Sequence, residues 1–98
     1  MNTITVRKTA LFADWLDGLR DLTARARIQV RLERLAGGLA GDVKPIGEGV
    51  SERRVNHGPG YRVYFKKHGC QLIVLLVGGD KSTQANDIRT ALRLARNL

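Results

Sequence analysis

The chain has 98 residues, and 17 lysines and arginines against 9 aspartates and glutamates leave it a formal charge of +8. At this length one core can be buried and two cannot, so residues 1–98 are expected to form a single domain. With 43% hydrophobic and 27% charged residues the chain is globular rather than disordered, and its basic surplus points to an anionic partner such as nucleic acid. No apolar run approaches the roughly 18 residues of a membrane span; the longest is the eight of 72–79, and the opening MNTITVRK has no signal-peptide core. A cytoplasmic location without membrane attachment is the expectation. The single cysteine, Cys70, excludes an intrachain disulfide, and with only His57 and His68 beside it no zinc spacing such as CxxC or HExxH occurs. No metal or other cofactor is expected. Cys70 opens an apolar run, which reads as a buried or half-buried small side chain rather than a nucleophile.

Residues 2–8 alternate, with Ile4 and Val6 on one side and Thr3, Thr5 and Arg7 on the other, as a half-buried strand does. Thr9 offers an N-cap to a short helix whose stripe is Phe12, Trp15, Leu16 and Leu19. Asp21 caps a second helix with Ala24, Ile28, Leu32 and Leu35 inward and a basic ridge of Arg27, Arg31 and Arg34, stopped at Gly37-Gly38. The two helices form a hairpin whose apolar stripes need a sheet to cover.

From Gly41 onward, glycine and proline punctuate short segments at 43–46, 50–56, 61–67 and 70–77, the pattern of an antiparallel β-meander. His68-Gly69 suits a two-residue hairpin. Residues 72–77 are apolar on both faces, which predicts a central strand ending at Gly78-Gly79. Residues 82–98 read as a helix capped by Asp80 or Ser82, with Ile88, Ala91, Leu92, Ala95 and Leu98 on one face and Arg89, Arg93 and Arg96 on another. The expected architecture is α+β: an N-terminal strand, a two-helix hairpin, the meander and a C-terminal helix, with the helices on one face of an antiparallel sheet.

Strand alternation then sorts the basic residues. Tyr61, Val63 and Phe65 take the core face, and Arg62, Tyr64 and Lys66 the other, where Glu52, Arg54 and Asn56 of the preceding strand join them. The expectation is an open sheet face with two guanidinium groups and a phenol. Lys81, just after the buried strand and near a helix N-terminus, adds an ammonium, and the group suits phosphate. Any one of these cations alone is an ordinary solubilising residue; their shared face raises the group above that. His57 and His68 sit in turns, where exposure is the ordinary state, and a phosphate-contacting role is the minority reading for His57.

The stretches GVSERRVNHGPGYRVYF and LLVGGDKSTQANDI resemble the RelE/ParE toxin superfamily, in particular its HigB-like, phage-derived addiction module killer proteins. TALFADWLDGL, the basic second helix and GDVKPIGEGV extend the resemblance over nearly the whole chain. It implies the RelE/ParE-like fold and a toxin of a type II toxin–antitoxin pair, held inactive by a cognate antitoxin encoded by an adjacent gene. RelE-like and HigB-like members are described as ribosome-dependent endoribonucleases, mRNA interferases that inhibit translation; ParE-like members inhibit DNA gyrase. A plain nucleic-acid-binding domain is the third alternative, since one scaffold hosts several activities.

Carried over by position, Arg54 matches the basic residue of the superfamily's E-x-R strand, Arg62 matches the arginine of its Y-R-V/L-x-Y/F strand, and Lys81 falls where RelE-like enzymes place another cation. The resemblance implies metal-independent cleavage with the ribosome and mRNA as partners: phosphate clamping and transition-state stabilisation by Arg54 and Arg62, and a second clamp or proton donor in Lys81. Tyr64 is a candidate for base stacking or proton transfer and His57 for general acid or base. The tail RTALRLARNL carries none of the tyrosine, histidine or acidic groups that RelE-like and HigB-like enzymes place there. The basic excess is uneven: residues 1–49 hold 8 cations and 6 anions, whereas 50–98 hold 9 and 3.

Overall fold

In a computed structural model of the chain, residues 4–98 are described. Strand β1 spans Thr5–Lys8, helix α1 Ala10–Asp17, helix α2 Leu22–Ala36, β2 Val43–Gly47, β3 Val50–Val55, β4 Tyr61–His68, β5 Leu72–Asp80 and helix α3 Gln84–Arg96, with a 3-10 turn at Lys81–Thr83 before α3. The part of the expected first strand at residues 2–3 lies outside the described residues. Among the described residues no helix is long and apolar enough to cross a membrane.

The five strands form one sheet in the order β1-β5-β4-β3-β2. Strands β2 to β5 are the antiparallel meander, and β1 adds to β5 in parallel, Thr5 opposite Leu72 and Lys8 opposite Leu75. The sheet is therefore mixed. The helices also differ from expectation in placement, because they cover both faces. On one, Phe12 and Leu16 of α1 and Ala24, Ile28 and Leu35 of α2 pack on Val55, Tyr61, Val63, Phe65, Ile73 and Leu75. On the other, Ala91 and Ala95 of α3 close over Val50, Tyr64, Val74, Leu76 and Val77. A bulge in β5 opposite Tyr64 and Phe65 puts both Leu76 and Val77 on the α3 side, where strict alternation would separate them.

Two expected boundaries shift for steric reasons. Gly78-Gly79 does not end β5, which continues to Asp80. A Cβ at Gly78 would run into the Trp15 ring on one face, and a Cβ at Gly79 into the Asp87 carboxylate and Thr83 hydroxyl on the other. These glycines let a helix approach each side of the strand. The last hairpin has three loop residues, 69–71, because His68 pairs with Leu72; Cys70 sits in that loop and is exposed, not buried.

Thr9 connects the first strand, the first helix and the sheet. Its hydroxyl accepts from the Phe12 N–H at 3.1 Å as the N-cap of α1 and donates to the Leu76 carbonyl at 2.7 Å. Thr9→Val keeps the shape and removes both bonds, so it is expected to cost about 1–2 kcal/mol, read as a lowered midpoint in urea unfolding.

Candidate functional site

Register fixes the site. Glu52 stands opposite Tyr64 and Arg54 opposite Arg62 on β3 and β4, so all four side chains share the face toward α3. That face is covered, which corrects the open platform expected from the sequence. Tyr64 is fully buried beneath α3 and its hydroxyl donates to Glu52 Oε2 at 3.0 Å. Burial, then the neighbouring Glu52 carboxylate, push the Tyr64 hydroxyl well above the ordinary tyrosine range. It has no free face for a base and is a poor proton-transfer group; it braces Glu52 instead.

Glu52 is the residue that sequence reasoning passed over. Its carboxylate is 1% exposed and collects Arg54 Nε at 3.1 Å, the Tyr64 hydroxyl at 3.0 Å and the Gln84 amide from the start of α3 at 3.0 Å. Arg62 Nε lies 3.6 Å away. Burial pushes its pKa up, but these donors and the Arg62 charge outweigh burial and hold it below the ordinary value of 4.5. The signal available in the sequence was the lone acid on a strand face with two arginines and a tyrosine.

A folded-state pKa below the unfolded one gives stability that is complete above the unfolded value and fades as pH falls through the folded value. The urea midpoints of wild type and Glu52→Gln, measured across pH, should therefore differ most above pH 4.5 and converge in acid; a gap that stays constant would contradict the charge-based account.

Anchored on this carboxylate, the arginines open into a cleft of about 350 Å³ lined by Asp42, Arg54, Val55, Asn56, Gly60, Tyr61, Arg62 and Lys81. Arg62 is nearly buried and donates to the Gly60 carbonyl at 3.0 Å, while Arg54 is more exposed. Lys81 arrives because β5 runs on to Asp80, opposite Tyr61. There the Asp80 carboxylate accepts the Ser82 N–H at 2.8 Å and turns the chain into the 3-10 segment. Gly60, at φ +81°, lies between Arg62 and Lys81. Three cations thus face one lining carboxylate, that of Asp42.

His57 is not part of this group. It lies in the turn after β3 with Nε2 3.5 Å from the Asp21 carboxylate and its ring stacked on Tyr61, and it does not line the cleft. The structure brings Arg54, Arg62 and Lys81 together and leaves Tyr64 and His57 in supporting positions. Chemically, the cleft can hold a phosphodiester by charge-assisted hydrogen bonds and stabilise an added negative charge on it.

No protein-family model matches the chain. It is similar to an uncharacterized protein of Haemophilus influenzae, 46% identical over 96 residues that span 98% of this chain and 97% of that protein. Its structure is similar to that of a mutant E. coli toxin RelE in the free state, with TM-score 0.75 and 13% identity over 96% of this chain and 98% of the other. It is also similar to the toxin–antitoxin complex RelBE2 from Mycobacterium tuberculosis, with TM-score 0.62 and 20% identity over 81% and 99%. At such identities the likeness establishes the fold, a five-stranded mixed sheet with three helices.

Proposed function

The chain belongs to one family with the Haemophilus influenzae protein and has the RelE fold, and on that premise we propose that it is the toxin of a type II toxin–antitoxin pair, a metal-independent endoribonuclease that cuts mRNA on the ribosome. The observation that carries the reading is the cleft in which Arg54, Arg62 and Lys81 converge, with the two arginines braced by the buried Glu52. Two of the similar structures are of a toxin and of a toxin–antitoxin complex, which supports both the role and an antitoxin partner. Carboxylates on that antitoxin, encoded beside this gene, would meet the basic surface.

In this reading Arg54 and Arg62 hold the scissile phosphate and stabilise its extra charge as the ribose 2′-oxygen attacks in line. The 2′-hydroxyl proton passes to water; Lys81 clamps another phosphate oxygen and protonates the 5′-oxygen as its bond to phosphorus breaks. The products are a 2′,3′-cyclic phosphate and a 5′-hydroxyl. With Tyr64 and His57 engaged elsewhere, the cleft contributes charge more than proton transfer. Ribosomal positioning of the message supplies the in-line geometry.

Brief expression without antitoxin, followed by mapping of mRNA 5′ ends, tests this. Fragments cut within codons are expected, whereas intact messages with stalled gyrase, or growth that continues unchanged, would sink the reading.

A further inference from the structure

The cleft contains two groups that phosphate clamping leaves without a task. Asp42 and Asn56 line it beside Arg54, Arg62 and Lys81. Both are exposed, and among the described residues neither side chain makes an ion pair or a hydrogen bond. A carboxylate beside three cations repels an incoming anion, so a cleft serving phosphate alone is weakened by Asp42. At about 350 Å³ the cleft also exceeds one phosphate and falls in the range of roughly 300–1,000 Å³ that takes small organic ligands.

The sheet register shows where these groups stand. The Arg54 N–H donates to the Asp42 carbonyl at 3.0 Å. Arg54 pairs with Arg62, and Arg62 with Gly79, two residues before Lys81. One row across the sheet therefore runs from a carboxylate through two guanidinium groups to an ammonium. Strands lie about 4.8 Å apart, which puts the backbone of Asp42 about 10 Å from that of Arg62. The phosphate belongs at the Arg62 and Lys81 end, and Asp42 marks the other. A general base must come within about 3 Å of the hydroxyl it deprotonates, so this separation suits the base of the bound nucleotide rather than its 2′-hydroxyl. Asn56 follows Arg54 by two residues, which returns its side chain to the same face, and Arg54 thus lies between the carboxylate and the amide. Tyr61, with its ring held between Trp15 and His57 at 6.3 and 6.5 Å, gives the cleft a rigid wall.

We propose that Asp42 and Asn56 form a guanine-binding subsite, which recognises the base beside the scissile phosphate held by Arg54, Arg62 and Lys81. Among the four RNA bases guanine alone presents two adjacent donors on one edge, the N1–H and the 2-amino group, and a carboxylate accepts both at once. The Asn56 amide then donates to O6. The inference rests on the endoribonuclease reading and adds a sequence preference to it, because phosphate contacts position a nucleic acid and base contacts specify it.

The test uses the full chain on ribosomes programmed with synthetic messages that carry guanine or inosine at each nucleotide flanking the cut, one position at a time. Inosine keeps the N1–H and O6 and lacks only the 2-amino group. At limiting toxin the wild-type protein is expected to cut the guanine message about tenfold faster at one of these positions, the discrimination of a bidentate base contact. Asp42→Asn, an exposed exchange whose fold a melting curve checks, should bring that ratio close to one. Asn56→Ala should slow both messages and keep the ratio, since O6 is common to them. A wild-type ratio of one at every position overturns the subsite. A ratio that survives in Asp42→Asn overturns it as well: with both rates unchanged the ribosome makes the choice, and with both lowered Asp42 serves the chemistry instead. Messages that the wild-type protein leaves intact remove the nuclease reading and the subsite with it, a result distinct from either.

Discussion

Arg62→Ala is expected to slow mRNA cleavage on programmed ribosomes by about 10²–10³-fold, the usual cost of removing one donor aimed at transition-state charge. The side chain is 12% exposed and fixed by Gly60 and Glu52, so its charge acts in a poorly screened setting and needs no reorganisation when the phosphate becomes more negative. Arg62→Lys keeps the charge and loses the fork, and should fall between wild type and alanine. Single-turnover cleavage read by primer extension, alongside a melting curve for each variant, separates lost chemistry from lost fold. A folded Arg62→Ala protein that cuts at the wild-type rate would show that the cleft is not where the phosphodiester reacts.

The largest effect on stability is expected at Glu52. Replacing it with alanine removes the acceptor for Arg54, Tyr64 and Gln84 and strips Arg62 of its nearest counter-charge. Breaking a buried pair from one side costs about 3–5 kcal/mol; because Arg54 is 40% exposed and can turn to water, the lower end applies. Even that is a large share of the roughly 5–15 kcal/mol that holds a small domain folded. Glu52→Gln retains an acceptor oxygen in place and should lose less. Urea unfolding of the two variants provides the measurement, and an alanine variant within about 1 kcal/mol of wild type would mean that the donors find other partners.

The local elements were legible because their signals are local. Thr9 and Asp21 are the N-caps expected of them, and period-2 alternation places Tyr61, Val63 and Phe65 against Arg62 and Tyr64 as written in the chain. What periodicity cannot state is the side of the sheet on which a helix stripe is buried. The stripe of Ala91 and Ala95 marks α3 as packed, yet only the course of the chain after Asp80 carries it to the face opposite α1 and α2. From that one choice follow the covered platform, the burial of Tyr64 and the recruitment of Gln84 to Glu52. The glycine pair at 78–79 misleads for a related reason: a small residue that ends a strand and one that admits a helix on each side look alike in one dimension.

The parallel pairing of β1 with β5 has a consequence for the life of the chain. Thr9 donates to a carbonyl 67 residues further on, and β1 has no other strand to join among those described. Such a contact closes a long loop before it is rewarded, which slows folding relative to a helical hairpin of the same size. The first strand cannot dock until nearly all of the chain has left the ribosome that makes it. Lys81 and Gln84, which complete the cleft and its brace, emerge later still. A nascent chain therefore has no assembled cleft until nearly all of it has emerged, and a product truncated before β5 has neither a docked first strand nor a cleft.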